Sequence, residues 1–249
     1  MTKIEWTEET WNPITGCTKI SPGCKHCYAE TMAHRLQAMG TKGYENGFNL
    51  TLVPERLEQP LKRKKATTYF VNSMSDLFHE DVPFEFVQRV FDVMDNSSHR
   101  FQVLTKRPER MVEFLKRYQD EQSNPWYLSN VWFGVSVEDI KYGLPRIEYL
   151  RSNALPMYPS VCFLSIEPLL EDLGPIDLRG IGWVIVGGES GPKARPMKKE
   201  WVESIQKQCQ RAGVKFFFKQ WGTWGADGVR RSKKSNGCLL NGKEFKEIP

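Results

Sequence analysis

The sequence predicts an α/β fold built as a partial or complete parallel (β/α) barrel with a small C-terminal appendage. Three observations carry this. Six runs rich in β-branched and aromatic residues recur: TTYFVNS from Thr67, FQVLT from Phe101, VWFGVS from Val131, VCFLSIE from Val161, GWVIVGG from Gly182 and VKFFFKQ from Val214. They are mostly continuous rather than alternating, the mark of parallel strands covered on both faces. Helical patterns lie between several of them. Finally, the runs pass into polar residues at their C-terminal ends: Ser73 to Asp76, Thr105 to Arg107, Ser136 to Asp139, Ser165 to Pro168, Gly187 to Gly191 and Lys219 to Gly222. A doubly wound sheet concentrates its site at one switch point, whereas a barrel draws on the ends of many strands.

Taken in order, the first helix is read from Tyr28, Met32, Leu36 and Met39, three or four residues apart, with Gly40 as its stop. Cys27 then sits at or just before a helix N-terminus. A second helix begins near Pro83 with Val87, Val90, Phe91 and Met94 inward, and a third at Pro108 with Met111, Leu115 and Tyr118 inward. Trp201, Ile205 and Ala212 line another, ended by Gly213. All these stripes are read as core packing. No repeat or low-complexity linker divides the chain, so residues 1–222 are taken as one barrel domain. Residues 223–249 form the appendage, expected over the barrel mouth or rim, and Asn-Gly within CLLNGKEF signals a hairpin there.

With 249 residues, 40% of them apolar and 12% aromatic, the chain can fill a substantial core. Its longest apolar runs fall far short of the roughly 18 residues a membrane span needs, so no membrane partner is expected. The opening MTKIEWTEETW carries Glu5, Glu8 and Glu9 where a secretory leader is apolar, which makes a soluble cytoplasmic protein the expectation. There, six cysteines read as free thiols or ligands rather than disulfides. The net charge of +5 is gathered in bursts: KRKK from Lys62, TKRPER from Thr105 and RRSKK from Arg230. Such bursts either contact phosphates or are solvated surface.

The segment GCTKISPGCKHCYAE places Cys17, Cys24 and Cys27 together. Structural zinc takes four protein ligands, typically from two CxxC-like pairs, and one pair is present; a fourth ligand would have to come from Cys162, Cys209 or Cys238. Three thiolates suit a [4Fe-4S] cluster with one iron left open for a small molecule. S-adenosyl-L-methionine fits that opening, since its amino and carboxylate groups can chelate the iron and the reduced cluster can cleave a carbon-sulfur bond. At a helix N-terminus, Cys27 brings backbone N–H groups beside an anionic cluster.

With these cysteines the sequence resembles the radical S-adenosylmethionine enzymes. Their usual motif has three residues and then two between cysteines, with an aromatic residue before the third. Here six residues separate Cys17 from Cys24, and His26 takes the aromatic position. The longer gap mainly changes a loop. More closely, WNPITGCTKISPGCKHCYAE, LTKRPERM, FGVSVE, FLSIEPLL, VIVGGESG and FFFKQWG resemble a phage-associated three-cysteine-motif family along nearly the whole chain. The resemblance implies a radical-SAM-type partial barrel with the cluster loop after the first strand and Cys17, Cys24 and Cys27 as metal ligands. It also implies a polar stretch after the second strand that contacts the cofactor's amino group: Ser73, Ser75 and Asp76, with Asp76 the anionic partner.

Further cofactor-binding candidates stand at later strand ends. Ser136, Glu138 and Glu167 can bind a ribose hydroxyl, position substrate or serve as ordinary hydrogen-bond acceptors. The glycines at Gly187 and Gly188 allow close backbone approach beside Glu189. Lys106 and Arg107 suit a carboxylate or phosphate, or capping and surface solvation. Lys219 and Gln220 lead to Trp221, read as core. His79 is read as structural, and Trp6 and Trp11 as covering the cluster loop.

The first expectation is an enzyme that uses the cluster and S-adenosyl-L-methionine to generate a 5′-deoxyadenosyl radical. Its favoured substrate is a nucleic acid or nucleotide, from the basic bursts, the tryptophans and the phage association of the family it resembles. It needs a reductant or electron-transfer protein, and a partner protein that supplies specificity stays open. The alternative is a non-catalytic nucleic-acid-binding protein with a structural zinc or iron-sulfur site, having four protein ligands and salt-sensitive binding.

Overall fold

The six apolar runs fold as strands: β4 (Thr68–Val71), β5 (Arg100–Thr105), β6 (Val131–Ser136), β7 (Cys162–Ile166), β8 (Trp183–Gly187) and β9 (Lys215–Gln220). The computed structural model describes residues 4–121, 128–151 and 161–249. A seventh strand, β1 (Glu9–Trp11), precedes them, and a small antiparallel pair is made by β2 (Ile14–Thr15) and β3 (Thr51–Leu52). Between them lie α1 (Tyr28–Ala38), α2 (Phe84–Asp95), α3 (Pro108–Glu121), α4 (Leu144–Tyr149), α5 (Lys199–Ala212) and the short α6 (Lys233–Asn236). Strand order in the main sheet is β1-β4-β5-β6-β7-β8-β9. That order follows the chain without the reversal of a doubly wound sheet, so the α/β class and the strand progression of a partial parallel barrel stand.

Two compact units divide the chain, and the division falls inside β6: the first takes Cys27–Gly134 with the residues up to Ile20, the second Ser21–His26, Val135–Arg151 and Val161–Pro249. In the first unit β1 pairs in parallel with β4, which pairs with β5. The tryptophans expected to cover the cysteine loop are instead core residues. Trp6 packs 4.6 Å from the Phe70 ring and Trp11 5.6 Å from Phe101, with the Trp11 indole N–H donating to the Arg56 carbonyl at 2.7 Å. The inward faces predicted for α2 and α3 are buried, with Phe91 against Phe114 and Phe133.

Helix α1 departs from its predicted face. Ala29 and Ala33 are buried against Tyr44 and Met74, whereas Tyr28 is 58% and Met39 76% exposed. Two small side chains let the helix approach closely, and that packing overrides the stronger apolar signal of Tyr28, Met32 and Met39. Tyr28 is tied down by its hydroxyl, which donates to the Ser73 carbonyl at 2.6 Å.

In the second unit β7, β8 and β9 pair in parallel. Helix α5 buries Val202, Ile205 and Cys209, so of the predicted stripe only Ile205 lies fully inside; Trp201 is half-buried and Ala212 exposed. Gly213 ends the helix as predicted, in the left-handed conformation at φ 68°. The end of the chain runs along β9. Phe218 N–H donates to the Phe245 carbonyl at 2.8 Å, Phe217 and Lys246 form an antiparallel bridge, and the Trp183 indole donates to the Glu247 carbonyl. The Asn-Gly hairpin forms: Leu240 bridges Lys243, with Asn241 at φ 52° and Gly242 at φ 76°. Among the described residues no helix is long and apolar enough to cross a membrane.

Candidate functional site

Parallel strands deliver polar residues to their C-terminal ends, and the first unit gathers three such ends. The cysteine segment follows β1 and β2, with Gly16 bridged to Ser75 beyond β4. Asp76 is 6% exposed and accepts two donors on each oxygen: Thr105 Oγ1 at 2.7 Å and Phe78 N at 3.1 Å on Oδ1, Lys106 N at 3.1 Å and Arg107 Nη1 at 3.3 Å on Oδ2. These fill its lone-pair sites within the chain. Ser73 and Ser75 also face inward, bonding Asn12 Oδ1 at 3.1 Å and the Ile14 carbonyl at 2.8 Å, so both brace the backbone that leads to Cys17.

Arg107 continues the network towards the cysteine loop. It donates to Glu80 Oε2 at 2.6 Å, Thr18 Oγ1 at 2.7 Å and Cys17 Sγ at 3.7 Å. Its bond holds the Glu80 carboxyl down at a pKa of about 2. His79 is fully buried: Nδ1 accepts from Asp81 N–H at 3.2 Å, so Nε2 carries the proton and donates to Thr18 Oγ1 at 2.8 Å. Burial first, then the Arg107 charge, lowers its pKa, which agrees with the structural role predicted for it.

In the second unit, Ser21–His26 is held from two sides. Glu138, fully buried, accepts from Arg146 Nη1 at 2.6 Å on one oxygen and from the Ser21 hydroxyl on the other. Gly23 packs on the same carboxylate, since a Cβ there would lie 2.9 Å from Glu138 Oε1. Arg195 donates to the Pro22 carbonyl at 3.0 Å while its guanidinium bonds both oxygens of Glu189, at 2.6 and 2.9 Å. Burial raises the Glu189 pKa, and the Arg195 bonds outweigh it to leave a net lowering. Ser136 is buried, with its carbonyl accepting from Arg146 at 2.8 Å.

Glu167 and Lys219 meet across β8, Nζ lying 3.1 Å from Oε1, and both remain partly exposed. Gly187 makes the crossing possible: a Cβ there would stand 2.3 Å from Glu167 Oε1. Trp221 is core, packed edge-on against Phe218 at 4.9 Å. Sequence reasoning missed Thr18, Glu80, Arg146 and Arg195. Thr18 lies inside the cysteine segment and Glu80 just past His79, but neither type by itself signals a contact across the sheet.

None of the six cysteines is joined in a disulfide. Cys17, Cys24 and Cys27 are half-buried; Cys162 and Cys209 are buried, and burial pushes both thiols up to about 12. Cys238 donates to Glu244 Oε1 at 3.3 Å. Cys27 is the N-cap of α1 and makes no side-chain capping bond. Among the described residues no three His, Cys, Asp or Glu side chains are grouped as a metal-ligand set. By donor chemistry, the three half-buried thiols suit a thiolate-bound cluster. Of the basic bursts, residues 62–65 and 230–234 are exposed, whereas Arg107 is buried and Arg110 donates to the Val82 carbonyl and lies 4.3 Å over the Phe84 ring. Trp6, Trp11, Trp132, Trp183 and Trp221 are buried and unavailable for base stacking; Trp126 lies outside the described residues.

A family described as protein of unknown function (DUF5131) matches residues 1–249. No curated protein and no solved structure matches the chain.

Proposed function

We propose that this chain, which belongs to the DUF5131 family, is a radical S-adenosylmethionine enzyme whose iron-sulfur cluster is held by Cys17, Cys24 and Cys27. The observation that carries the reading is the sorting of the thiols: these three are half-buried, while Cys162 and Cys209 are buried with their thiols pushed up to about 12.

A cluster held by Cys17, Cys24 and Cys27 would supply the low-potential electron that reductive cleavage of S-adenosylmethionine requires. The chain's own residues set the stage. Asp76 and Arg107 support the Cys17 side of the loop; Glu138 and Arg195 support the segment containing Cys24. The N-terminal end of α1 stabilises negative charge beside Cys27. Of the predicted cofactor-binding carboxylates, Glu167 is the one left partly exposed, and with Lys219 it offers both signs of charge to the cofactor's polar groups. Ser73, Ser75, Asp76, Ser136 and Glu138 act as supports behind them.

For substrate we favour a nucleic acid or nucleotide, supported by the exposed basic residues 62–65 and 230–234. The chemistry calls for an external reductant or electron-transfer protein and a compartment that keeps thiols reduced, as the cytoplasm does.

Anaerobic reconstitution with iron and sulfide, reduction, and addition of S-adenosylmethionine tests the reading through 5′-deoxyadenosine formation beside a Cys24→Ala control. Cysteine-dependent product is expected. A protein that holds zinc, or holds a cluster without cleaving the cofactor, overturns it.

A further inference from the structure

Arg107 is 8% exposed, and its guanidinium has five N–H bonds to satisfy. Nε–H goes to Glu80 Oε2 at 2.6 Å; Nη1 serves Asp76 Oδ2 at 3.3 Å and Cys17 Sγ at 3.7 Å; Nη2 serves Thr18 Oγ1 at 2.7 Å and the Thr18 carbonyl at 3.4 Å. Two carboxylates already balance the buried cation, so the contact with sulfur is not needed for charge compensation. Its consequence lies with the sulfur. A cationic donor at a ligand thiolate draws off negative charge and favours the more electron-rich state of whatever metal the thiolate holds.

We propose that Arg107 is a positioning residue that orients Cys17 Sγ and raises the reduction potential of the cluster bound through it, with Glu80 tempering the effect from the opposite side of the guanidinium. This rests on the proposed function. The step concerned is a one-electron transfer from an external low-potential reductant to the cluster, in which no bond forms or breaks. Arg107 stabilises the added negative charge.

The test is a redox titration with dithionite, followed by electron paramagnetic resonance, on the full chain reconstituted with iron and sulfide. Arg107→Met is expected to load with iron like the parent but to be at least tenfold harder to reduce, which is 59 mV for one electron. Glu80→Gln removes a negative charge beside the guanidinium and is expected to shift the equilibrium the other way, about threefold or more. A merely structural role does not produce shifts of opposite sign. Equal potentials in parent and variants, all loaded, overturn the role of Arg107 and leave the proposed function standing. A parent that takes up no iron-sulfur cluster overturns both. Should Arg107→Met not fold, Glu80→Gln decides alone, because the Glu80 side chain is 55% exposed and tolerates the change; an unmoved potential there overturns the inference.

Discussion

Glu138 and Arg146 form the most deeply buried ion pair among the described residues, 2.6 Å apart with side-chain exposures of 0% and 7%. The other carboxylate oxygen takes the Ser21 hydroxyl, so one buried charge supports both a strand end and the turn before Cys24. Glu138→Ala leaves an unpaired buried guanidinium and is expected to cost about 3–5 kcal/mol. Ser21→Ala should cost about 1 kcal/mol. Urea denaturation of the two variants checks the order, and equal losses contradict it.

Acid should weaken the first unit in two steps. His79 has a folded pKa below 6.5, so the unfolded chain takes up that proton first and stability falls as pH drops below 6.5. Glu80 titrates near 2 when folded against 4.5 when free, so its contribution is present above pH 4.5 and is lost towards pH 2. Urea midpoints measured from pH 7.5 downward should therefore decline. His79→Gln should flatten the decline below pH 6.5, and Glu80→Gln that below pH 4.5.

Neighbouring glycines should differ in tolerance. A Cβ on Gly188 lies 2.0 Å from the Trp221 carbonyl oxygen, which is backbone and cannot swing away; one on Gly187 meets the movable carboxylate of Glu167 at 2.3 Å. Gly188→Ala is expected to destabilise by about 3 kcal/mol, near the upper end for overpacking, and Gly187→Ala by about 1 kcal/mol. Thermal melts of the pair decide, and a reversed order removes the argument.

Native-state alkylation should sort the cysteines. Iodoacetamide is expected to modify Cys17, Cys24 and Cys27 at least tenfold faster than Cys162 and Cys209, whose buried thiols titrate near 12. Peptide mass spectrometry over a time course reads this directly. Rapid labelling of Cys162 counts against the burial on which the choice of ligands depends.

Deleting residues 238–249 should uncover the β9 edge. The Trp183 and Trp221 indoles donate to the carbonyls of Glu247 and Leu239, and losing either acceptor should cost about 1–3 kcal/mol. Light scattering should show association of the truncated chain through the bared strand, because an unpaired edge is a template for pairing. A monodisperse, equally stable product contradicts this.

What was legible in the sequence followed the length and continuity of the apolar signal. Strands β4 to β9 are four to six residues long and mostly buried, so their composition announces them. β1 is three residues containing Glu9 and Thr10, and its strand state comes from pairing with Tyr69 to Val71. The face of α1 was misread because alanine carries little apolar weight yet packs closest. At the site, positions were readable but partnerships were not. Asp76, Glu138 and Glu167 stand at strand ends as expected, whereas their partners Arg107, Arg146 and Lys219 are chosen by register and by loops returning over the sheet. The tryptophans show the same limit, since an aromatic ring reads alike in sequence whether it stacks on a base or fills a core.

The saturated fork of Arg107 has a consequence for how this region can change over time. Thr18, Asp76 and Glu80 each receive an N–H from the same guanidinium, so none of them mutates independently of the others. Substitutions among the three should be strongly non-additive when Arg107 is present and close to additive once it is gone. Drift at these positions would then proceed through correlated replacements, with the arginine as the last of the set to be exchanged.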